Sequence, residues 1–234
     1  MSGRLAHSSI VAVILGLLVP RLATGWGEDG GAICQVVHSQ INPEIVADGH
    51  GGAIVAWEDR RDGDLDVYAQ RVNASGHTLW LDDGIPVCTI DADQEAIALV
   101  ADQTGGVFLA WCDWRGPDLD IYAQRLSSAG EPMWTDHGIL VCGADYSQTN
   151  PVMVSDGSGG VIIAWTDHRG IADEQSTDIY VQRLNAGGDP LWTLDGLAVA
   201  ALEGAQDFPA MIADGGGGAY LAWEDSRNHE FGGD

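Results

Sequence analysis

The chain has 234 residues, 45 % of them hydrophobic, and 32 are glycine. That composition allows a packed core joined by many tight turns, in one domain or in part of a larger one. Against 35 aspartates and glutamates stand 10 basic residues, all arginine, for a formal net charge of −25. Such a surface repels phosphate backbones and anionic headgroups, which argues against nucleic acid and bare membrane as partners. It suits solubility, a salty medium, divalent cations or basic surfaces.

The N-terminus reads as an export signal. Arg4 and His7 precede an apolar run from Ile10 to Val19, closed by Pro20, and the small residues Ala23 and Gly25 form a cleavage pattern before Trp26. The run is too short for an ordinary transmembrane span, and no later segment is long and apolar enough for one. The expectation is a secreted or cell-surface protein, with residues 1–25 removed as a signal peptide and no membrane insertion afterwards. An uncleaved anchor is the alternative.

The rest of the chain is a repeat. Trp26–Cys34 (WGEDGGAIC) returns as Trp80–Cys88 (WLDDGIPVC), Trp134–Cys142 (WTDHGILVC) and Trp192–Ala200 (WTLDGLAVA), at intervals of 54, 54 and 58 residues. The additional residues fall between Arg169 and Asp178. Each period resolves into four short strands. The first is of the Pro43–Ala47 type, repeated near Ile97, Pro151 and Pro209. A glycine-rich turn, 49–52, follows. The second strand, Ala53–Trp57, is apolar on both faces, as when both are covered. The third, Asp66–Val72, is rich in β-branched and aromatic residues. A turn at Asn73–Gly76 leads to the fourth, around Ile85–Cys88. No window has amphipathic helical periodicity.

Four strands in each period of 54 residues, with no helices, predict an all-β chain folded as a β-propeller. Stacked solenoids use shorter repeats, and sandwich domains need roughly 100 residues each. By tryptophan period the blades run 26–79, 80–133, 134–191 and 192–234. The fourth copy stops at Asp234, where its third strand would begin, which would leave an unpaired edge. The expectation is an incomplete propeller of three full blades plus partial ones.

The W-x-D-x-R loop followed by D-[IV]-Y-x-Q-R resembles a repeat of secreted bacterial multi-repeat proteins thought to form β-propellers, often with a C-terminal sorting or immunoglobulin-like domain. The resemblance covers residues 26–234 and implies export and a propeller. The activities of that family are mostly undescribed, so it assigns no catalytic residue here, and no sorting domain is legible.

Candidate chemistry has to be weighed against blade construction. Arg61, Arg115, Arg169 and Arg227 each follow an aspartate (Asp59, Asp113, Asp167, Asp225). A ring of arginines could hold a carboxylate, as the arginine cluster of sialidases does. Recurrence in every blade favours a hairpin pair. Tyr68, Gln70 and Arg71, with their copies, and the link glutamines Gln40, Gln94, Gln148 and Gln206 read as groups that bond backbone between blades. Asp62, Asp64 and Asp66 form D-x-D-x-D, the opening of many calcium loops, but the twelfth position is Asn73 and the sixth is not glycine. The second blade keeps Asp118 and Asp120, and the third has Asp173, Glu174 and Asp178. Calcium is the one cofactor suggested, with a solvated acidic turn as the default.

Cys34, Cys88 and Cys142 sit about 10 Å apart if adjacent sheets pack normally, beyond disulfide reach. They read as small buried residues, while Cys112 is off-register and its pairing is open. The histidines at 38, 50, 77, 137, 168 and 229 show no metal-ligand spacing. A functional site should break the repeat. The residues that do so are Trp114, Cys112, His168 and the 171–177 insertion. Trp114 and His168 share one loop slot, where an aromatic could stack on a sugar. The leading expectation is a non-catalytic extracellular binding module for a glycan or protein ligand. A sialidase-like or other glycan-processing enzyme is the alternative, and a structural spacer beside another domain is a third reading.

Overall fold

The computed structural model describes residues 11–12, 30–169 and 176–227. Most of the leader, the expected mature start at Trp26, most of the 171–177 insertion and His229 lie outside the described residues. Every regular element among those described is a strand.

A short strand β1 (Val11–Ala12) pairs with β2 (Gly31–Ala32). Three four-stranded antiparallel meanders follow. The first holds β3 (Gln40–Ala47), β4 (Ala53–Asp59), β5 (Asp66–Val72) and β6 (Ile85–Cys88). The second holds β7 (Gln94–Ala101), β8 (Val107–Asp113), β9 (Asp120–Leu126) and β10 (Ile139–Cys142). The third holds β11 (Gln148–Ser155), β12 (Val161–Asp167), β13 (Asp178–Leu184) and β14 (Leu197–Ala200). A two-stranded sheet of β15 (Gln206–Ala213) and β16 (Ala219–Asp225) ends the series. First strands of successive sheets adjoin, β3 with β7, β7 with β11 and β11 with β15. The sheets are therefore the blades of a β-propeller, with first strands innermost. Each tryptophan period supplies the fourth strand of one blade and then the first three of the next.

The first strands begin three residues earlier than their prolines suggest. Each carries a bulge, with register shifts between Ile41 and Glu44, Glu95 and Ala98, Thr149 and Val152, and Asp207 and Ala210. Asn42, Ala96, Asn150 and Phe208 take positive φ there, between 49° and 55°. A bulge leaves a residue out of the ladder, so Pro43, Pro151 and Pro209 are tolerated inside the strand.

The core lies between successive sheets. Every residue of β4, β8 and β12 is buried, so the sequence AIVAWED has no solvent face to alternate with. Trp57, Trp111 and Trp165 are 0 % exposed, and each removes on the order of 200 Å² from water, about 5 kcal/mol gross. Gly138, with φ +86°, lies under Trp111; a Cβ there would come within 2.5 Å of the indole. At the far end of each blade Arg71 Nη2 pairs with Asp48 (2.7 Å) and its Nη1 donates to the Ser128 carbonyl of the next blade (2.9 Å). Trp80 Nε1 donates to that same carbonyl (3.2 Å), so the period-setting tryptophan ties one blade to the next.

Candidate functional site

The register Gln40↔Asp59↔Asp66 brings the loop between second and third strands to the same end as the links between blades. Backbone bonds fasten loop to link in every blade. The N–H of Arg60 donates to Ser39 O (3.0 Å), Trp114 to Asp93 O (3.0 Å), His168 to Ser147 O (3.0 Å) and Ser226 to Ala205 O (2.9 Å). Trp114 and His168 thus share a slot, as their spacing predicts, and Arg60 and Ser226 complete the set.

The Trp-x-Asp-x-Arg loop builds a clamp beneath that slot. Trp111 Nε1 donates to Asp113 Oδ2 (2.8 Å), and Arg115 donates to both carboxylate oxygens, Nε to Oδ1 (2.9 Å) and Nη2 to Oδ2 (2.6 Å). The guanidinium lies 3.6 Å from the centre of the Tyr122 ring and donates to the His137 carbonyl (3.0 Å) and to the Cys88 sulfur of the preceding blade (3.3 Å). Arg169 over Tyr180 repeats the arrangement and reaches Cys142, and Arg61 over Tyr68 reaches Cys34 but bonds Asp59 through Nη2 alone among its side-chain nitrogens. Burial works to raise the Asp59 carboxyl, but the Arg61 and Trp57 donors outweigh it and hold the pKa below the usual range. Arg61, Arg115 and Arg169 each serve their own blade junction. Arg227 pairs with Asp225 at a more open position, its side chain 46 % exposed.

Within this constant frame the residues nearest the axis differ from blade to blade. The middle residue of Trp-x-Asp is Glu58, Cys112, Thr166 and Glu224 in turn. Each of the first three accepts the N–H of the left-handed bulge residue of the next blade. Ala96 N donates to Glu58 Oε1 (2.9 Å), Asn150 N to Cys112, and Phe208 N to Thr166 Oγ1 (3.2 Å). One acceptor atom is enough for that latch, and Glu58 brings two. Its second oxygen accepts Asn42 Nδ2 (2.8 Å). Burial raises the Glu58 pKa against those two donors, with Glu95 adding to the rise and Arg60 opposing it. Glu58 is 2 % exposed. It lines a groove of about 420 Å³ with Asn42, Pro43, Glu44, Glu95, Ala96 and Ile97. Trp114, 43 % exposed, donates Nε1 to Glu95 Oε1 (3.3 Å) at its edge.

Asp62, Asp64 and Asp66 come together, with Asp91, in a separate cleft of about 410 Å³. Burial, then Asp62, Asp59 and Asp64, pushes Asp66 up to about 7. Burial followed by Asp113 and Asp118 pushes Asp120 up to about 6. Among the described residues no three His, Cys, Asp or Glu side chains are arranged to hold a metal ion.

All four cysteines are buried free thiols, and burial pushes Cys88, Cys112 and Cys142 up to about 12. The backbone N–H groups of Val36, Ile90 and Ala144 bond Cys34, Cys88 and Cys142. Where Ala200 replaces the thiol, Leu202 N turns to Gln206 Oε1 (3.2 Å). The matching oxygens of Gln94 and Gln148 have no partner among the described residues. Gln94, Gln148 and Gln206 brace their own link and not the neighbouring blade, with Gln94 Nε2 donating to Ala92 O (2.6 Å) and Gln206 Nε2 to Gly204 O (2.9 Å), while the Gln40 amide has no partner among the described residues. Gln70 likewise holds its own blade, donating to Leu81 O (2.6 Å) and accepting from Trp80 N (2.9 Å).

Sequence reasoning singled out Trp114 and His168 but passed over Asn42, Glu58, Arg60 and Glu95. The available signal was variation at one position of an otherwise constant motif.

No protein-family model matches the chain, and no curated protein matches it. It is similar to the solved endo-arabinase from Bacteroides thetaiotaomicron VPI-5482, with 15 % identity over 77 % of this chain and 68 % of that one, at a TM-score of 0.48. It is also similar to an endo-1,5-alpha-L-arabinanase from Thermotoga petrophila RKU-1, with 14 % identity, 83 % and 50 % coverage and a TM-score of 0.45. An endo-1,4-beta-xylanase from Bacteroides thetaiotaomicron VPI-5482 follows, at 9 % identity, 82 % and 68 % coverage and a TM-score of 0.45. The chain spans between half and about two thirds of these proteins' length.

Proposed function

We propose that this is an exported β-propeller that binds a carbohydrate in the groove between its first two blades, at the link end of the axis. The observation that carries the reading is the break in symmetry at Glu58. A threonine serves the latch at 166, so the carboxylate exceeds what the latch needs, and its second oxygen holds Asn42 in the wall of the groove, where Glu95 and the exposed Trp114 meet. The groove offers acceptors from Glu44 and Glu95, with the buried Glu58 holding Asn42 beside them, which suits a ligand rich in hydroxyl donors. Trp114 supplies an exposed aromatic face beside them, tethered by its own N–H to Glu95. The arginines of the clamp are committed to Asp59, Asp113 and Asp167, which favours neutral sugars over the acidic ones an arginine cluster would take.

Titration calorimetry against a panel of neutral oligosaccharides tests this. Binding that weakens at least tenfold, about 1.4 kcal/mol, in both Trp114→Ala and Glu58→Gln supports it. Unchanged binding in both variants refutes it.

Glycan processing is the second reading, favoured by the pairing of Glu58, which keeps its proton to higher pH, with Glu95 in one groove. One carboxyl donating a proton while another assists is the arrangement that glycoside cleavage needs. Release of reducing ends from oligosaccharides, abolished in Glu58→Gln, would place this reading first.

Export rests on the leader composition. The strongly acidic surface makes nucleic acid an unfavourable partner, and no helix among the described residues is long and apolar enough to cross a membrane. Calcium at Asp62, Asp64 and Asp66 is a subordinate proposal, tested by calorimetric titration of the metal into wild type and Asp64→Asn. Asp118 and Asp120 would be its counterparts in the second blade.

A further inference from the structure

The slot that holds Trp114 recurs in each blade with a different side chain. Arg60, Trp114, His168 and Ser226 are fixed by the same backbone bond to the link, 2.9–3.0 Å long. The bond uses only main-chain atoms, so any side chain would serve the frame. The residues chosen are a guanidinium, an indole, an imidazole and a hydroxyl. We infer that Arg60, Trp114 and His168 form successive subsites for an extended oligosaccharide that crosses three blades, an inference that rests on the carbohydrate reading above.

Three lines of argument support the ladder. Neighbouring sheets pack about 10 Å apart, so three slots span about 20 Å, longer than a mono- or disaccharide. The backbone staples hold the three side-chain bases rigidly, so little ordering entropy is lost when a long ligand lies across them. The chemistry also alternates usefully. Arg60 presents several N–H donors to hydroxyl and ring oxygens. Trp114 presents a face for stacking, with the acceptor Glu95 bonded at its edge. His168 presents a ring that both donates and accepts. Arg60 also lies near enough to Glu58 to oppose the rise in its pKa, so the first subsite is continuous with the groove.

The test is calorimetric titration with cello-, xylo- and arabino-oligosaccharides from monomer to hexamer, on wild type, Arg60→Ala, His168→Ala and Trp114→Ala. The slot side chains contribute nothing to the staple, so all three variants should fold, with only Trp114→Ala losing a side-chain bond, to Glu95. Affinity of the wild type should climb at least tenfold from dimer to hexamer in one series, about 1.4 kcal/mol. Arg60→Ala and His168→Ala should lose that gain and weaken the hexamer more than the dimer, and Trp114→Ala should weaken every length. Affinity that is flat with length, or a hexamer gain untouched by Arg60→Ala and His168→Ala, overturns the ladder and leaves the groove reading standing. Binding of no oligosaccharide at any length removes the groove reading, and the ladder with it.

Discussion

Replacing Arg115 by methionine should destabilise the protein by about 3–5 kcal/mol, the cost of leaving a buried charge without its partner. Asp113 is 0 % exposed. In the variant its carboxylate keeps Trp111 Nε1 (2.8 Å), the backbone N–H of residue 115 (2.9 Å) and the distant Cys88 thiol (3.9 Å). It loses two charge-assisted bonds, while Tyr122 loses its stacked cation and the His137 carbonyl its donor. Arg227→Met is the internal control. The same pair at Asp225 is far more open, so solvent screens it and its loss should matter little. Urea unfolding followed by tryptophan emission reads both, as a shift in midpoint at unchanged slope. Asp113→Asn/Arg115→Met should recover part of the loss, since it removes the stranded charge as well. A cost for Arg115→Met below about 1 kcal/mol, or no larger than that of Arg227→Met, would refute the view that clamp burial holds adjacent blades together.

Asp66 gives a pH dependence with a definite sign. Its carboxyl titrates near 7 in the folded chain and near 3.9 in an unfolded one, so the folded state holds the proton more tightly. The resulting stability is complete below about pH 4 and is lost as pH rises to 7, by at most about 4 kcal/mol. With a chelator present, the urea midpoint of Asp66→Asn should fall less than that of wild type over this range; parallel curves would count against it. Gly138→Ala combines a strained φ with a clash against Trp111 and should cost about 3 kcal/mol or more, read as a large drop in melting temperature. Cys88→Ala should stay within about 1 kcal/mol of wild type, because Ile90 N–H can turn to Gln94 Oε1 as Leu202 does to Gln206. Cys112→Ala removes the acceptor for Asn150 N–H and should cost about 1–3 kcal/mol; equal effects of the two cysteine changes in urea unfolding would contradict this.

The fold was legible because each blade restates it. Asp66–Val72 and Ile85–Cys88 appear as strands where composition places them, since their neighbours lie close in sequence and the pattern repeats. The start of the first strand was not legible. Pro43 looks like a boundary, and only the bulge at Asn42, a feature of pairing and not of composition, lets the strand run through it. The site divides in the same way. Trp114 and His168 stand out as odd side chains in a repeated slot. Glu58 and Glu95 do not, because carboxylates are abundant and their meeting depends on one blade packing against another. Of the adjacent Arg60 and Arg61, the repeated W-x-D-x-R spacing picks out Arg61 for the clamp, but nothing in that spacing marks Arg60 as the occupant of the Trp114 slot's open side.

The clamps bear also on how the chain meets proteases. A chain without lysine offers trypsin-like proteases only arginine to cleave after. Of the eight arginines beyond residue 25, Arg61, Arg71, Arg115, Arg125, Arg169 and Arg183 are bound to buried aspartates. A protease needs an extended, freely reached segment, so those bonds become accessible only when a blade opens. Arg60 and Arg227 are the two left outside that set, both exposed, with the Arg60 backbone held by its bond to Ser39. A ligand lying across the Arg60 slot would cover one of the two.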